Sequence, residues 1–401
     1  MTVLGLGLFF LVITLVLELI LFITRKDNTL KLNKNIKKEP RICVIIPARD
    51  EAKVIEGLLD SITMQSYKID NENVYIIVES DKDKSINIAK SKQMRYFVRK
   101  ELDKKTKGYA IDELIKYLDN KKEYYDLYFI FDADNILHKD FILNALDDYY
   151  KGYYVSTGFR GLKNPNNYLS LSTWLTFSIL NDSHNTRMQK NNGNLILSGT
   201  GYFIEGSIIK EFKRFPFCSL TEDYESSLYY TLEGIATSYN KKAIFYDEQP
   251  TSYKVSIKQR VRWIKGYFNN YFKYRKRLIN KLKDKPLNKG SLIEMAMGVL
   301  PLITFIISIL NFLIYSIFIS IKLFLVELFI IYLSLVILSI LVILKNKRYI
   351  LTSKKVIFKT IFYHPIFLIS YIHAFLKMVF TKNMGWDKIE HTKSSLEIDD
   401  I

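Results

Sequence analysis

The chain has 401 residues, enough for one large or two medium domains, with 58 Lys and Arg against 41 Asp and Glu. Its two cysteines, Cys43 and Cys218, exclude a disulfide framework and a thiolate metal site, and they fit a reducing compartment. Hydrophobic residues make up 49% of the chain, but they are concentrated in long runs near both ends, which favours membrane segments around a polar middle.

The first run covers residues 3–23, "VLGLGLFFLVITLVLELILFI", and is long enough to cross a bilayer. A cleaved signal peptide is the alternative, but it would begin with basic residues and end in a small-residue cleavage site. Here the basic residues follow the run instead. The pattern therefore predicts a membrane anchor over 1–24 and a basic linker over 25–40, with the chain from Arg25 onward in the cytosol.

Residues 41–275 predict a cytosolic domain in which strands and helices alternate. "RICVII" at 41–46, "VYIIV" at 74–78 and the run at 127–131 are short apolar stretches typical of buried strands. Helical spacing of apolar residues follows the first strand, and 107–118 predicts another helix. This alternation favours an α/β domain with a mostly parallel sheet.

Polar residues follow each of these three strands directly. In a parallel sheet the carboxyl ends of the strands meet at one edge, where ligands bind. Asp132 and Asp134 in "FDADN" lie on the same side of their strand, and two such carboxylates repel each other unless a cation lies between them. Mg²⁺ and Mn²⁺ prefer oxygen ligands of this kind, and Mg²⁺ commonly binds oxygens of a substrate phosphate as well. A metal ion here would therefore bridge the two aspartates to a diphosphate. The three clusters are Arg49, Asp50 and Glu51; Glu79 and Asp81; and Asp132 and Asp134.

Each polar motif also has a plain structural alternative. Asp134 would cap a turn at a solvated strand end. Thr221, Glu222 and Asp223 precede a helical pattern, in which the threonine would cap the helix and the acids would suit its dipole. "SIKQRVRWIKGYF" at 256–268 has one apolar face and would be an amphipathic helix that touches acidic lipid.

The last third of the chain predicts further membrane segments. Two long apolar runs over 292–344 predict a transmembrane hairpin, and 276–291 before it predicts a basic interfacial linker. Residues 345–380 predict a basic cytosolic loop and a helix that either spans the bilayer or, as we favour, lies at its interface. The polar tail 381–401 then stays in the cytosol. The molecule would be a multi-pass protein of the plasma membrane with its main domain in the cytoplasm.

The order of these motifs resembles that of membrane-anchored glycosyltransferases of family 2, which have the GT-A fold. The branch it resembles includes the synthases of cellulose, chitin, hyaluronan and poly-N-acetylglucosamine. The resemblance covers about residues 41–270 and, more loosely, the tail. There "MGWDKIEHT" resembles the ends of related chains, which implies that Trp386 and His391 either return to the active site or belong to a surface tail. The matching stretches, in chain order, are "CVIIPARDEAKVI", "KGYAID", "FDADN", "SGTGYFIEG", "TED" and "QRVRW".

The resemblance implies a metal-dependent, inverting transfer from a UDP-sugar to a hydroxyl group. Asp132 and Asp134 would hold Mg²⁺ or Mn²⁺, and Asp223 would be the general base. Glu79 stands where the family usually has an aspartate that contacts the uracil base, with Asp81 or Asp83 as the alternative for that contact. Further substrate contacts fall to Lys107, Asp132, Glu222, Gln259, Arg262 and Trp263.

The resemblance also implies a role for four of these residues. Arg262 would pair with the diphosphate, because a guanidinium suits forked binding of phosphate oxygens, and Lys107 is a second candidate for that role. Gln259 would donate a hydrogen bond nearby. Trp263 would stack on the acceptor sugar.

The processive relatives imply that the product is a β-linked cell-surface polysaccharide, exported with the help of a second copy or a partner. Two other hypotheses stay open: transfer of a single sugar to a polyprenyl or glycolipid carrier, and a non-catalytic membrane scaffold that binds a nucleotide-sugar or a partner synthase. The intact motifs argue against the scaffold. The expected partners are therefore a UDP-sugar, a glycan or lipid-linked acceptor and the membrane, without nucleic acid.

Overall fold

The computed structural model describes residues 3–28, 30–381 and 395–396. Its strands are β1 (Ile42–Pro47), β2 (Val74–Val78), β3 (Arg95–Val98), β4 (Leu127–Ile130), β5 (Ile136–Leu137), β6 (Val155–Leu162), β7 (Tyr202–Glu205) and β8 (Thr237–Asp247). They form one sheet in the order β3-β2-β1-β4-β7-β6-β8-β5. The first four strands in this order pair in parallel, as do β6 and β8, whereas β7 and β5 run antiparallel to their neighbours.

The helices surround this sheet and extend beyond it. Their bounds are α1 (Val3–Thr24), α2 (Ile55–Thr63), α3 (Ser85–Ser91), α4 (Lys107–Asn120), α5 (Phe141–Tyr150), α6 (Tyr168–Phe177), α7 (Ser183–Lys190), α8 (Gly206–Phe212), α9 (Glu222–Glu233), α10 (Tyr253–Lys281), α11 (Lys289–Met297), α12 (Leu300–Ile319), α13 (Ile321–Lys345) and α14 (Lys354–Phe380). A π-helical segment, Ser178–Asp182, joins α6 to α7.

Both faces of the sheet are covered, because neighbouring residues of a strand point to opposite faces. Val44 of β1 packs in one core with Leu58 of α2, while Ile45 packs in a second core with Leu114 of α4. A strand that is buried on both sides reads as a continuous apolar run, which is why "ICVIIP" and "VYIIV" predicted β1 and β2. The structure confirms these strands and β4, and with them the α/β class.

The remaining strands were not predicted from the sequence. β7 falls within "SGTGYFIEG", which was read as a loop, and β6 contains two glycines and Arg160. β8 begins with polar residues before its apolar half. These strands lack a clean apolar run, so their pairing in the sheet rather than their local sequence decides their structure.

Four helices are long and apolar enough to cross a membrane: α1, α12, α13 and α14. The hairpin differs from its prediction at the start, where α11 and α12 are separate helices rather than one run. Gly298 breaks them with a backbone φ of +55°, a conformation that favours glycine. Leu292 and Met295 of α11 are buried in a core with α9 and α10, so the start of the predicted span belongs to the core of the α/β domain.

The two predicted linkers are also packed parts of the structure. Most of 276–291 is helical, and Leu278 at the end of α10 packs against Leu228 and Leu232 of α9. This segment was predicted as a basic linker because many of its residues are charged. Its apolar residues form only one narrow stripe of the helix. In the predicted linker 25–40, Asp27 accepts hydrogen bonds from the backbone amides of Gly290 and Ser291 at the start of α11.

Helix α14 packs against α6, α10 and α13. Its Ala374 contacts the apolar face of α10 at Ile257 and Val261. The predicted amphipathic helix at 256–268 is therefore confirmed, but this apolar face is covered by protein. Whether α14 spans the bilayer or lies at its interface stays a prediction. Of the predicted tail, 381–401, most residues lie outside the described part of the chain, and so do Trp386 and His391.

Candidate active site

Asp132 and Asp134 follow β4 at the edge of the sheet, as the sequence predicts. The Asp132 side chain is 39% exposed, whereas Asp134 is almost fully buried. The backbone amide of Asp132 donates to Thr200 Oγ1 at 2.8 Å and to Asn135 Oδ1 at 3.2 Å. Asp134 Oδ2 accepts from the backbone amide of Glu248 at 3.1 Å. The turn is thus held in place by groups from several parts of the sheet.

Lys107, the first residue of α4, reaches into the same edge. Its Nζ donates to Asp132 Oδ1 at 2.5 Å and to the Gly199 carbonyl oxygen at 2.6 Å. Burial would lower the pKa of this ammonium, but the charges of Asp132 and Glu222 outweigh burial and raise it. The buried ammonium group of Lys107 therefore contacts Asp132, one of the two predicted metal ligands, directly.

Glu222 and Asp223 are the first two residues of α9. Burial raises the pKa of both carboxyls, and the charge of Asp223 raises that of Glu222 further. A backbone hydrogen bond from Tyr224 and the charge of Lys107 oppose the shift at Asp223 without cancelling it. Carboxyls with a raised pKa in a buried position hold protons more strongly than ordinary ones, which suits a general base.

The helix-capping alternative for Thr221 is wrong in one respect. Thr221 stands at the N-cap position of α9, but its side chain makes no capping hydrogen bond. Its hydroxyl instead accepts from Asn270 Nδ2 of α10 at 3.0 Å, and the same amide group donates to its carbonyl oxygen at 3.1 Å. The threonine therefore fastens the start of α9 to α10.

Gly199 connects Asp223 to the lysine and the metal-binding turn. Its backbone φ is +85°, and a Cβ atom at this position would lie 3.5 Å from Asp223 Oδ2. Its carbonyl oxygen accepts from Lys107, which in turn pairs with Asp132. Lys107 thus joins Asp132 to Gly199 by hydrogen bonds, and Asp223 lies beside Gly199; we call these four residues the row at the sheet edge.

Gln259, Arg262 and Trp263 lie together on α10, partly exposed. The Trp263 ring meets Phe177 at the end of α6 edge to face, with centroids 5.4 Å apart. Gln259 Oε1 is buried and accepts no hydrogen bond from the residues that the structure describes. The Phe177 ring also lies 4.6 Å from the guanidinium of Arg160, which donates to the carbonyl oxygen of Ser198, the residue before Gly199. Trp263 is thus linked to the row only through these two intervening side chains.

Comparison with known proteins decides the family. Residues 40–266 match a family model described as "Glycosyltransferase like family 2". The chain belongs to glycosyltransferase-like family 2. Within this family, it is 24% identical over 282 residues to "Probable glycosyltransferase YdaM" of Bacillus subtilis (strain 168). That match spans 64% of each chain, slightly less than two thirds of the relative.

Solved structures show the fold of this family 2 chain. The mannosyltransferase PcManGT from Pyrobaculum calidifontis, in complex with GDP-Man and Mn²⁺, has a TM-score of 0.57 and 13% identity, over 95% of this chain and all of that one. Its likeness confirms the GT-A fold. S. aureus TarS 1-349, in complex with UDP-GlcNAc, gives a TM-score of 0.46 and 14% identity over 83% of this chain and 92% of that one.

A divalent cation is implied for a family 2 site of this kind, and the residues present fit it. Within the described part of the chain, no group of three Asp, Glu, His or Cys side chains is arranged to hold a metal ion. Mg²⁺ and Mn²⁺ sites in nucleotide-dependent enzymes commonly use one or two carboxylates, with substrate phosphates and water supplying the other ligands. Asp132 and Asp134 supply that minimal set beside the exposed edge.

Glu79 and Asp81, the predicted base contacts of the family 2 donor site, lie at the end of β2. Glu79 is engaged by two arginines, with Arg49 Nε at 2.9 Å and Arg99 Nη1 at 3.4 Å from its carboxylate. Asp81 is exposed, and Asp83 accepts backbone hydrogen bonds from Asp50 and Ser85. No contact joins Glu79 or Asp81 to the row around Lys107 within the described residues, so their role stays a prediction.

Several site residues were missed by sequence reasoning. Lys163, fully buried, donates to the Asp134 carbonyl oxygen at 2.6 Å. Arg160 and Asp247 form an ion pair behind the metal-binding turn. Asp247 ends β8, so the rule that polar residues at strand ends converge would have found it had β8 been predicted. Arg160 lies inside a strand and carries no such signal.

Proposed function

We propose that this chain transfers a sugar from a UDP-sugar to a hydroxyl acceptor, with inversion at the anomeric carbon and with Mg²⁺ or Mn²⁺. The observation that carries the proposal is the row of Asp223, Gly199, Lys107 and Asp132 at the sheet edge. It places a carboxyl of raised pKa beside groups suited to a charged leaving group. Membership of family 2 supports the same reaction class.

Asp223 takes the acceptor proton in this mechanism. The acceptor oxygen forms a bond to the anomeric carbon as the bond from that carbon to the diphosphate breaks, and the nucleoside diphosphate leaves. Single displacement turns an α-linked donor into a β-linked product. Lys107 and Arg262 place positive charge near the leaving group, and Gln259 and Glu222 contact substrate.

The two aspartates would hold the divalent cation that the resemblance implies. When bound, it neutralises charge on the leaving diphosphate. Lys107 orients Asp132 through its ion pair, and the backbone amide of Glu248 orients Asp134. Trp263, braced by Phe177, offers a ring for the acceptor sugar.

The UDP preference comes from the family resemblance. PcManGT, which shares the fold, is described with GDP-Man and Mn²⁺. In this chain the position that should contact the base is Glu79, held between Arg49 and Arg99. The proposal keeps UDP, with Glu79 or Asp81 as the base contact.

The proposed location of this reaction is the cytoplasmic face of the plasma membrane. Four helices suffice by length and composition, and basic residues flank them on the side of the main domain. The proposed product is a β-linked cell-surface polysaccharide, built on a glycan or lipid-linked acceptor and exported with a second copy or a partner.

Nucleotide release by the purified protein in detergent tests this function. UDP-, GDP- and TDP-sugars are offered in turn with Mn²⁺, with Mg²⁺ and with EDTA, with membrane lipid extract as the acceptor source. The expected result is metal-dependent release of UDP from one UDP-sugar. Release only from a GDP- or TDP-sugar would overturn the donor assignment. Absence of both release and nucleotide binding by calorimetry would overturn the proposed reaction, and the length of the product separates a polymer from a single added sugar.

A further inference from the structure

A buried ion pair joins strands β6 and β8 near the candidate site. Arg160 Nη1 donates to Asp247 Oδ2, and the two side chains are 13% and 8% exposed. In the parallel register Arg160 lies opposite Phe245, two residues before Asp247, so both charged side chains point to the same face. A buried ion pair is costly unless its remaining donors and acceptors find partners, so its other contacts indicate its role.

Asp247 leads from this pair to the metal turn, which we define as residues 132–135. Its Oδ1 accepts from Asn135 Nδ2 at 3.1 Å, and its Oδ2 also accepts from Gln249 Nε2 at 2.6 Å. Asn135 Oδ1 accepts in turn from the backbone amide of Asp132 and from the Thr200 hydroxyl. The carboxylate of Asp247 therefore orients the amide that closes the metal turn.

Arg160 leads from the same pair to the base loop, which we define as residues 198–201. Its Nη2 donates to the Ser198 carbonyl oxygen, and its guanidinium lies over the Phe177 ring, which braces Trp263. Ser198 directly precedes Gly199, the residue beside Asp223. The guanidinium of Arg160 thus donates to the base loop through Nη2 and, through Nη1, to Asp247, which binds the metal turn.

We propose that Arg160 and Asp247 are positioning residues that hold the metal turn and the base loop in one fixed register. The inference rests on the proposed function. A planar guanidinium serves two acceptors at a set angle, which a lysine ammonium on a flexible stem does not reproduce. Correct register matters because a misplacement of about 1 Å between reacting groups can cost roughly 100-fold in rate.

The chain offers a matched control for the cost of losing a buried charge between these strands. Asp148 is also buried, and it accepts from Ser156 of β6 at 2.7 Å and from Ser238 of β8 at 2.6 Å. These serines lie at the opposite end of the two strands from Arg160 and Asp247. Asp148→Asn should therefore lower stability without moving the metal turn.

The test compares Asp247→Asn, Arg160→Lys and Asp148→Asn in the full-length protein. Calorimetry with Mn²⁺ and UDP measures binding directly, and steady-state nucleotide release measures kcat and KM. We expect Asp247→Asn to weaken Mn²⁺ binding in the presence of UDP by about 10- to 100-fold, a range typical of residues that orient metal ligands. We expect Arg160→Lys to lower kcat by a similar factor, with the donor KM little changed.

The possible results separate this inference from the proposed function. If the unmodified protein binds Mn²⁺ and UDP while Asp247→Asn binds them equally well, the positioning role is wrong and the function stands. Losses in Asp247→Asn and Arg160→Lys that merely match those of Asp148→Asn would also overturn it. If the unmodified protein binds neither ligand and releases no nucleotide, the proposed function fails and the inference falls with it.

Discussion

Glu222 and Asp223 place two carboxyl groups side by side where burial opposes their ionisation. Lys107 offsets part of that cost, since its charge lowers the pKa of both groups. Helix dipole and capping alone would be satisfied by acids in a solvated first turn. Burial of this pair therefore lowers the stability of the fold at neutral pH. Such destabilising residues are expected at functional sites, where function rather than stability selects them.

The raised pKa of Glu222 makes a prediction about stability. Because the folded-state pKa lies above the ordinary carboxyl value, the stabilising contribution is present at low pH and is lost as pH rises from that ordinary value through the raised one. Glu222→Gln removes the ionisation, so its melting temperature should rise relative to the unmodified protein as pH increases.

Glu233→Gln, at the other end of α9, is the control for Glu222→Gln. Glu233 is exposed and pairs loosely with Arg277 at 3.9 Å, so its substitution should leave the pH dependence of melting unchanged. A melting difference between Glu222→Gln and the unmodified protein that stays constant with pH would show that the carboxyl at 222 ionises normally.

Site residues that belong to short sequence motifs were predicted from the sequence. The residues that hold these motifs in place were not. Asp132, Asp134 and Asp223 stand in stretches whose order was informative. Arg160 and Lys163 act through contacts made across strands that are far apart in the chain, and one sequence does not show which strands pair. Glu79 shows a further limit, since its strand-end position was predictable but its engagement by Arg49 and Arg99 was not.

Helix α10 is the element that joins the candidate base to the membrane segments. Its Gly266 lies against Thr221, where an added Cβ atom would come within 2.5 Å of Thr221 Cγ2. Its Arg260, fully buried, donates to Ser370 Oγ of α14 and lies 4.3 Å from the Phe367 ring. The same helix therefore fixes the start of α9 on one side and α14 on the other.

Gly266→Ala should push α10 away from Thr221 and displace Glu222 and Asp223. Alanine favours a helix over glycine by about 1 kcal/mol, but crowding in a packed contact commonly costs about 1–3 kcal/mol. We expect a lower melting temperature together with a loss of nucleotide release. Thermal melting and the release assay on the same preparation measure both.

Two further variants serve as the control and the rescue for Gly266→Ala. Asn269→Ala on the exposed side of α10 should be neutral. The double variant Gly266→Ala with Thr221→Ala should recover part of the lost stability, because it removes the threonine atoms that the new methyl meets. A Gly266→Ala protein as stable and active as the unmodified one would mean that the two helices separate without consequence.

The elements that sequence reasoning predicted well are those whose own residues determine them. β1, β2, β4, α1 and α13 each carry a continuous apolar run. The boundary between the domain and the hairpin was misplaced, because Leu292 and Met295 look like the start of a membrane span but pack against α9 and α10. Apolar composition alone does not tell a lipid-facing helix from one buried in protein.

At the scale of the whole molecule, polar contacts tie the membrane helices to one another and to the domain. Thr14 of α1 donates to Thr304 of α12 at 2.9 Å, and Ser308 of α12 donates to the Gly7 carbonyl oxygen at 2.9 Å. Asp27 then binds the start of α11. These contacts indicate that α1 and the hairpin of α12 and α13 pack as one unit with the α/β domain, rather than being joined to it only by flexible linkers.

The basic flanks predict the orientation of this unit. Ser320, between α12 and α13, should face the outside, while Lys283 should face the cytoplasm. Ser320→Cys and Lys283→Cys, each made in a Cys218→Ser background, are labelled in intact cells with a membrane-impermeant maleimide. Label should reach position 320 at once and position 283 only after lysis. The reverse pattern would invert the proposed topology.

The role of Asp223 as the general base is tested by comparing Asp223→Asn with the unmodified protein in the same nucleotide-release assay. We expect Asp223→Asn still to bind UDP with Mn²⁺ by calorimetry but to release nucleotide about 100- to 10,000-fold more slowly, the usual contribution of a general base. Intact binding with lost turnover would support residue 223 as the proton acceptor. Release at the unmodified rate would show that the buried carboxyl at the start of α9 has no part in the reaction.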